Sequence, residues 1–211
     1  IYIFTILLLI IIFVPLALLG PEQLRYYSMK ELIYKAIATQ ITKGSENDQE
    51  NALRLFEYLH QNLYTPINSR STDVDQLHHL VRNVAWCDSQ ASTLVALARK
   101  VGISGGWVAL RGYDKVSHHS VAVLHINGKY RMLDPNLGYV FKDQEGNIAT
   151  LEDIQTNHEQ LTSEQYLAMK WIGPNRLNKS LGFERPEYYL KLYEPANPWK
   201  ISLLNWTGFE R

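Results

Sequence analysis

Only one cysteine, Cys87, occurs among the 211 residues. That excludes a disulfide within them, and it excludes zinc sites built wholly or mainly from cysteine. Lysine plus arginine and aspartate plus glutamate balance at 21 each, no basic stripe or Gly-rich phosphate loop is present, and nucleic-acid or nucleotide binding is therefore not expected. Internal repeats and low-complexity segments are also lacking. Charge is absent from the first twenty residues, IYIFTILLLIIIFVPLALLG, which form one apolar run through Gly20.

Roughly 20 residues at about 1.5 Å each span about 30 Å, the thickness of a bilayer hydrocarbon core, so the run predicts a transmembrane helix over 1–20. Pro15 is tolerated in such helices, and Tyr2 suits an interface. A signal peptide competes, but its apolar core usually spans ~7–15 residues before small residues at a cleavage site, and Leu18-Leu19-Gly20 fits that poorly. A buried core helix fits the length less well still. Because the chain opens on Ile1, a short preceding piece bearing the orienting basic residues is expected. Arg25, Lys30 and Lys35 are mixed with Glu22 and Glu31 and give only a faint bias. The expectation is a single-pass anchor in a bacterial-type inner membrane with the domain outside the cytoplasm. The bilayer would then be one partner and a membrane protein complex another.

The remaining chain suits one domain. Pro21 opens a helical juxtamembrane segment over 21–46, with a polar linker from Lys43 to Gln49. A core follows over 47–150, with a helix from about Glu50 to Leu63 carrying Leu53, Phe56 and Leu59 on one face. A loop at Thr65 to Ser71 leads to a short helix through Leu77 and Leu80. Past the core, 151–211 reads as an extension: a segment from Leu151, a helix over Ser163–Trp171 capped by Ser163, and a tail rich in aromatics and proline from Tyr188 to Phe209. Packing over the domain is the plain reading of that tail, and contact with lipid or a membrane partner is the alternative.

A lone thiol is either inert packing or a nucleophile. After Cys87 the chain reads DSQASTLVALARKVG, with Leu94, Leu97, Ala98 and Val101 on one apolar stripe and Gly102 placed to stop the helix. Cys87 thus sits at or beside the N-cap, where unpaired N–H groups and the positive end of the helix dipole favour a thiolate and suit an oxyanion. Asp88 opposes the thiolate, so an imidazole partner is needed.

The segment HHSVAVLHINGKYRMLDPN supplies one. Its apolar and polar residues alternate on both sides of Asn127-Gly128, the strongest short-range signal for a two-residue type I′ turn. In that register Ile126 faces Lys129, Leu124 faces Arg131 and Val121 faces Asp134. His119 becomes the diagonal neighbour of Asp134 on one face, roughly 7–8 Å away at the backbone, a span the two side chains can close. His118 points to the other face. A carboxylate fixes the tautomer and orientation of a histidine, which is what a base for a thiol requires. His78, His79 and His125 add imidazoles nearby, but no HExxH spacing is present and no metal or cofactor is expected.

The succession WCDSQASTLVALARKVGISGGWVAL, then HHSVAVLHINGKYRMLDPN, resembles the transglutaminase-like superfamily, whose members have a papain-related fold and a Cys-His-Asp triad. The resemblance covers roughly residues 50–141. It implies an α+β domain with helices packed on an antiparallel sheet, Cys87 as nucleophile, His119 as base and Asp134 as orienting acid. Ala85 stands where a glycine often precedes the cysteine by two, and Ser120-Val121 replaces a frequent Ala-Trp. The oxyanion hole would use the backbone N–H of Cys87 and a second donor, for which the Trp86 indole is a candidate whose plainer role is packing. The implied activity is thiol acyl transfer on an amide or ester of a protein or peptide, ending in hydrolysis or amine cross-linking. Two other readings stand beside it: an accessory or scaffolding subunit of a cell-envelope polymer synthesis or export complex, and acyl transfer from a thioester donor.

Overall fold

The computed structural model describes residues 2–65, 76–111, 117–156 and 162–165. Along them run α1 (Tyr2–Ile41), α2 (Asp48–Asn62), α3 (Gln76–Arg82), α4 (Cys87–Lys100), β1 (Gly105–Arg111), β2 (Ser117–Ile126), β3 (Lys129–Leu133), β4 (Tyr139–Lys142), α5 (Leu151–Thr156) and β5 (Thr162–Gln165).

Helix α1 is two helices meeting at Gly20, where φ is 67° and ψ is 154°. Pro21 then opens the second stretch, a position where its missing N–H costs nothing. Among the described residues no helix is long and apolar enough to cross a membrane. The backbone of the expected span is helical, but most of its side chains lie outside the described residues. The second stretch packs on α4 and α2. Tyr34 and Ala38 are buried, with Ile33, Ile37 and Ile41 against the same cluster, a spacing that lines one helical face. Lys100 of α4 pairs with Glu31 beside this contact.

Helix α2 starts on Asn47, whose side chain accepts the Glu50 N–H at 2.9 Å, while Glu50 Oε2 accepts the Glu46 N–H at 2.8 Å. The first bond satisfies an amide that the first helical turn leaves open, and the second ties the residue before the cap to the helix. Its buried face comprises Ala52, Leu55, Phe56, Leu59 and, unexpectedly, His60.

Strands β1, β2 and β3 form one antiparallel sheet in that order. The hairpin pairs Ile126 with Lys129, Leu124 with Arg131 and Ala122 with Leu133, the register its turn predicts. Asn127 (φ 52°) and Gly128 (φ 77°) both take the left-handed conformation that a type I′ turn demands. Helix α4 lies over the sheet, and Ala91, Leu94, Val95, Leu97 and Ala98 meet Ala122, Leu124, Ile126 and Leu133 in the core. Buried Arg131 ties the hairpin to the next loop, donating from Nε to Ile126 O at 3.2 Å and from Nη1 to Ile148 O.

A two-stranded sheet joins β4 and β5, with Phe141 opposite Ser163. This corrects the expected helix from Ser163: Thr162–Gln165 pairs as a strand with β4, and that tertiary partner overrides the local capping signal. The remainder of that expected helix and the aromatic tail lie outside the described residues.

Candidate active site

Cys87 is the first residue of α4. The chain enters the helix through Trp86, whose φ of −76° and ψ of 169° mark it as the N-cap, and Trp86 makes no side-chain cap bond. Asp88 Oδ1 takes the Ser89 N–H at 2.7 Å, which leaves the N–H groups before it for another acceptor beside the half-buried Cys87. The entry is held from both sides: Tyr64 N–H donates to Asn83 O at 2.9 Å and Ala85 N–H to Tyr64 O at 3.0 Å.

His119 comes from β2 and Asp134 from the end of β3. Their side chains are 5% and 0% exposed, and His119 Nε2 lies 2.6 Å from Asp134 Oδ2. Such a short, enclosed contact is the charge-assisted kind. The second carboxylate oxygen, Oδ1, accepts the Leu137 N–H at 3.0 Å. Cys87 is also close enough for its sulfur to act on the ring as an acceptor. With Nε2 taken by the carboxylate, Nδ1 is the ring nitrogen left for sulfur. Burial alone would pull the His119 pKa down; the charge and hydrogen bond of Asp134, helped by Cys87, outweigh it and raise the pKa from 6.5 to about 10. The imidazole therefore carries its proton at neutral pH, between a carboxylate and a sulfur.

The structure thus brings Cys87, His119 and Asp134 together. Trp86 is at the N-cap, half-buried. The other histidines go elsewhere. His79 is buried and donates from Nδ1 to Val84 O at 2.9 Å, His78 is exposed, and exposed His125 lies against the Tyr130 ring with centroids 5.1 Å apart. The His118 side chain lies outside the described residues. Among the described residues, no group of three or more His, Cys, Asp or Glu is placed to hold a metal ion.

Four residues around the site did not stand out in the sequence. The turn after Asp134 runs Pro135-Asn136-Leu137-Gly138. His60 Nδ1 lies 3.1 Å from Pro135 O; since a carbonyl only accepts, Nδ1 carries the hydrogen. Asn136 Nδ2 donates to Thr65 Oγ1, which also takes Gln90 Nε2 at 3.3 Å. Gln90, one turn past Cys87 and 1% exposed, donates again to Ala85 O at 2.9 Å. Thr65 thereby joins the helix bearing Cys87 to the turn bearing Asp134. One signal was available: Gln90 is a polar residue flanking the apolar stripe of α4.

The family model for the transglutaminase-like superfamily matches residues 35–135. No match was found among curated proteins. Among solved structures, a candidate protease from Parabacteroides distasonis is 19% identical with a TM-score of 0.41, over 48% of this chain and 23% of its own. A candidate cysteine protease from Cytophaga hutchinsonii is 15% identical with a TM-score of 0.45, over 50% and 37% respectively. A transglutaminase is 12% identical with a TM-score of 0.43, over 55% and 33%. The chain thus spans well under half the length of each of these proteins. Over residues 35–135 this chain is thus similar to the transglutaminase-like superfamily.

Proposed function

We propose that the chain is a membrane-anchored cysteine enzyme that transfers an acyl group from an amide or ester of a peptide or protein through a thioester on Cys87. The observation that carries this reading is the 2.6 Å contact between His119 Nε2 and Asp134 Oδ2, with the sulfur of Cys87 near enough to influence the same ring.

Cys87 Sγ attacks the carbonyl carbon as a thiolate, its proton being the one held on the His119 imidazolium, with Nδ1–H turned to the sulfur. The oxyanion is held by the backbone N–H of Cys87, with the Trp86 indole N–H assigned as second donor. Collapse of the tetrahedral intermediate breaks the bond to the leaving amine or alcohol, which takes the proton from His119. Water or an amine then attacks the thioester and gives a proton to His119, and the C–S bond breaks to release the acid or amide and return the thiolate beside the imidazolium. Two of the influences that raise the His119 pKa come from Cys87. The charge on sulfur disappears once it is acylated, so His119 is a stronger acid in the first half-reaction and a more available base in the second. Support for the anchor comes from the uncharged apolar run of residues 1–20, whose helical backbone ends at Gly20.

The test is the rate of Cys87 alkylation by iodoacetamide in the purified protein and in His119→Ala. At about pH 6, well below the ordinary thiol range near 8.5, wild type is expected to label about tenfold faster or more. Equal, slow labelling in both would overturn the enzyme reading and favour a binding subunit of an envelope complex. The anchor is tested separately by alkaline carbonate extraction of membranes: retention in the pellet, lost on removing residues 1–20, is expected, and release of the full chain would refute it.

A further inference from the structure

The buried face of α2 is apolar except for His60, which is 8% exposed. A histidine there costs desolvation unless its polar atoms are bonded. Its Nδ1–H donates to Pro135 O at 3.1 Å, in the turn that follows Asp134. The ring is also fixed sterically. It stacks on Phe56 with the planes 10° apart, and Gly138 lies against it. A Cβ added at Gly138 would stand 2.5 Å from both His60 Cε1 and Nε2, so turn and ring fit only because residue 138 is glycine.

This turn is what holds the carboxylate. Leu137 N–H bonds to Asp134 Oδ1 and Gly138 N–H to Asp134 O at 2.9 Å, while Asp134 Oδ2 meets His119. Any shift of Pro135–Gly138 would therefore turn the carboxylate relative to the imidazole. We propose that His60 is a positioning residue: by anchoring the Pro135–Gly138 turn to α2, it sets the Asp134 carboxylate against His119. The ring acts through the turn. This rests on the thiol-enzyme reading above.

The experiment compares iodoacetamide labelling of Cys87 in wild type, His119→Ala, His60→Leu, His60→Asn and His60→Gln, with thermal melts of each. His60→Leu keeps much of the volume and removes the donor. The His60→Asn amide N–H stands where Nδ1–H stood, whereas the His60→Gln amide reaches past it. At about pH 6, His60→Leu and His60→Gln are expected to label roughly tenfold slower than wild type, with His60→Asn recovering most of the rate. At about pH 9.5, where a thiol ionises without help, all should label alike. A purely structural role would lower melting temperatures and leave this pH-dependent contrast flat. Should His60→Leu fail to fold, the Asn and Gln variants decide, and equal rates for those two would overturn the proposal. Wild-type labelling in every His60 variant alongside slow labelling in His119→Ala would overturn the positioning role alone. No difference between wild type and His119→Ala would instead overturn the enzyme reading beneath it.

Discussion

His119 and Asp134 meet through Nε2 and Oδ2 at 2.6 Å, from two strands of one hairpin and out of contact with solvent. Enclosure makes this pair matter, because a carboxylate without water can be satisfied only by what the protein provides. Asp134→Asn keeps the shape and removes the charge that holds the His119 proton. Acylation of Cys87 by a p-nitrophenyl ester should fall on the order of a thousandfold, as expected when a triad histidine loses its orienting carboxylate. A burst rate within a few-fold of wild type would contradict the role given to Asp134.

The same pair makes stability depend on pH. His119 binds its proton more tightly folded, at about 10, than unfolded, near 6.5. Its contribution is therefore fully present below the unfolded value and is lost as pH rises through the folded one. Urea midpoints of wild type should decline between those two values, and in Asp134→Asn the decline should flatten. An equal slope in both proteins would count against the pair as its source.

Gly138 and Gly146 provide a matched comparison of backbone and packing. Both have positive φ, 72° and 78°, but a Cβ at Gly146 meets nothing within 4 Å whereas one at Gly138 runs into the His60 ring. Gly146→Ala should cost roughly 1–2 kcal/mol, the backbone strain of a left-handed alanine. Gly138→Ala should cost clearly more, since the ring or the turn must move as well. Chemical denaturation of the two variants measures the difference, and equal losses would show that the ring yields freely.

Arg131 should prove structural. Arg131→Met removes the donors to Ile126 O and Ile148 O, two carbonyls of fully buried residues, and leaves the Asp143 carboxylate without a cation 3.7 Å away. Ile126 O keeps the Lys129 N–H of the turn, whereas losing the donor to Ile148 O should cost roughly 1–3 kcal/mol, which a denaturant midpoint would register. An unchanged midpoint would mean that water replaces the guanidinium.

The hairpin was legible in the sequence because its information is local. Asn127-Gly128 fixes the turn, the turn fixes the register, and the register alone separates His119 from His118. The stripe Leu94, Leu97, Ala98 of α4 was legible for the same reason, as was the stop at Gly102. His60 was not, since its partner lies 75 positions along the chain and nothing near it in sequence reports that contact. The strand at Thr162–Gln165 was misread because its pairing with Tyr139–Lys142 is likewise non-local. Thr65, Gln90 and Asn136 carry ordinary turn and helix signals, and only their convergence on one hydroxyl gives them a place at the site.

Hairpin tips are ordinarily where a chain best tolerates added length. In this hairpin, side chains alternate faces with every residue, so the number of residues separating Asp134 from the Asn127-Gly128 turn decides which way its carboxylate points. One residue added to that stretch of β3 would turn Asp134 away from His119. Two would restore the side but carry the carboxylate about 7 Å along the strand. The count of residues between His119 and Asp134 is thus itself part of the site, and this surface hairpin should be among the segments of the chain least able to change length.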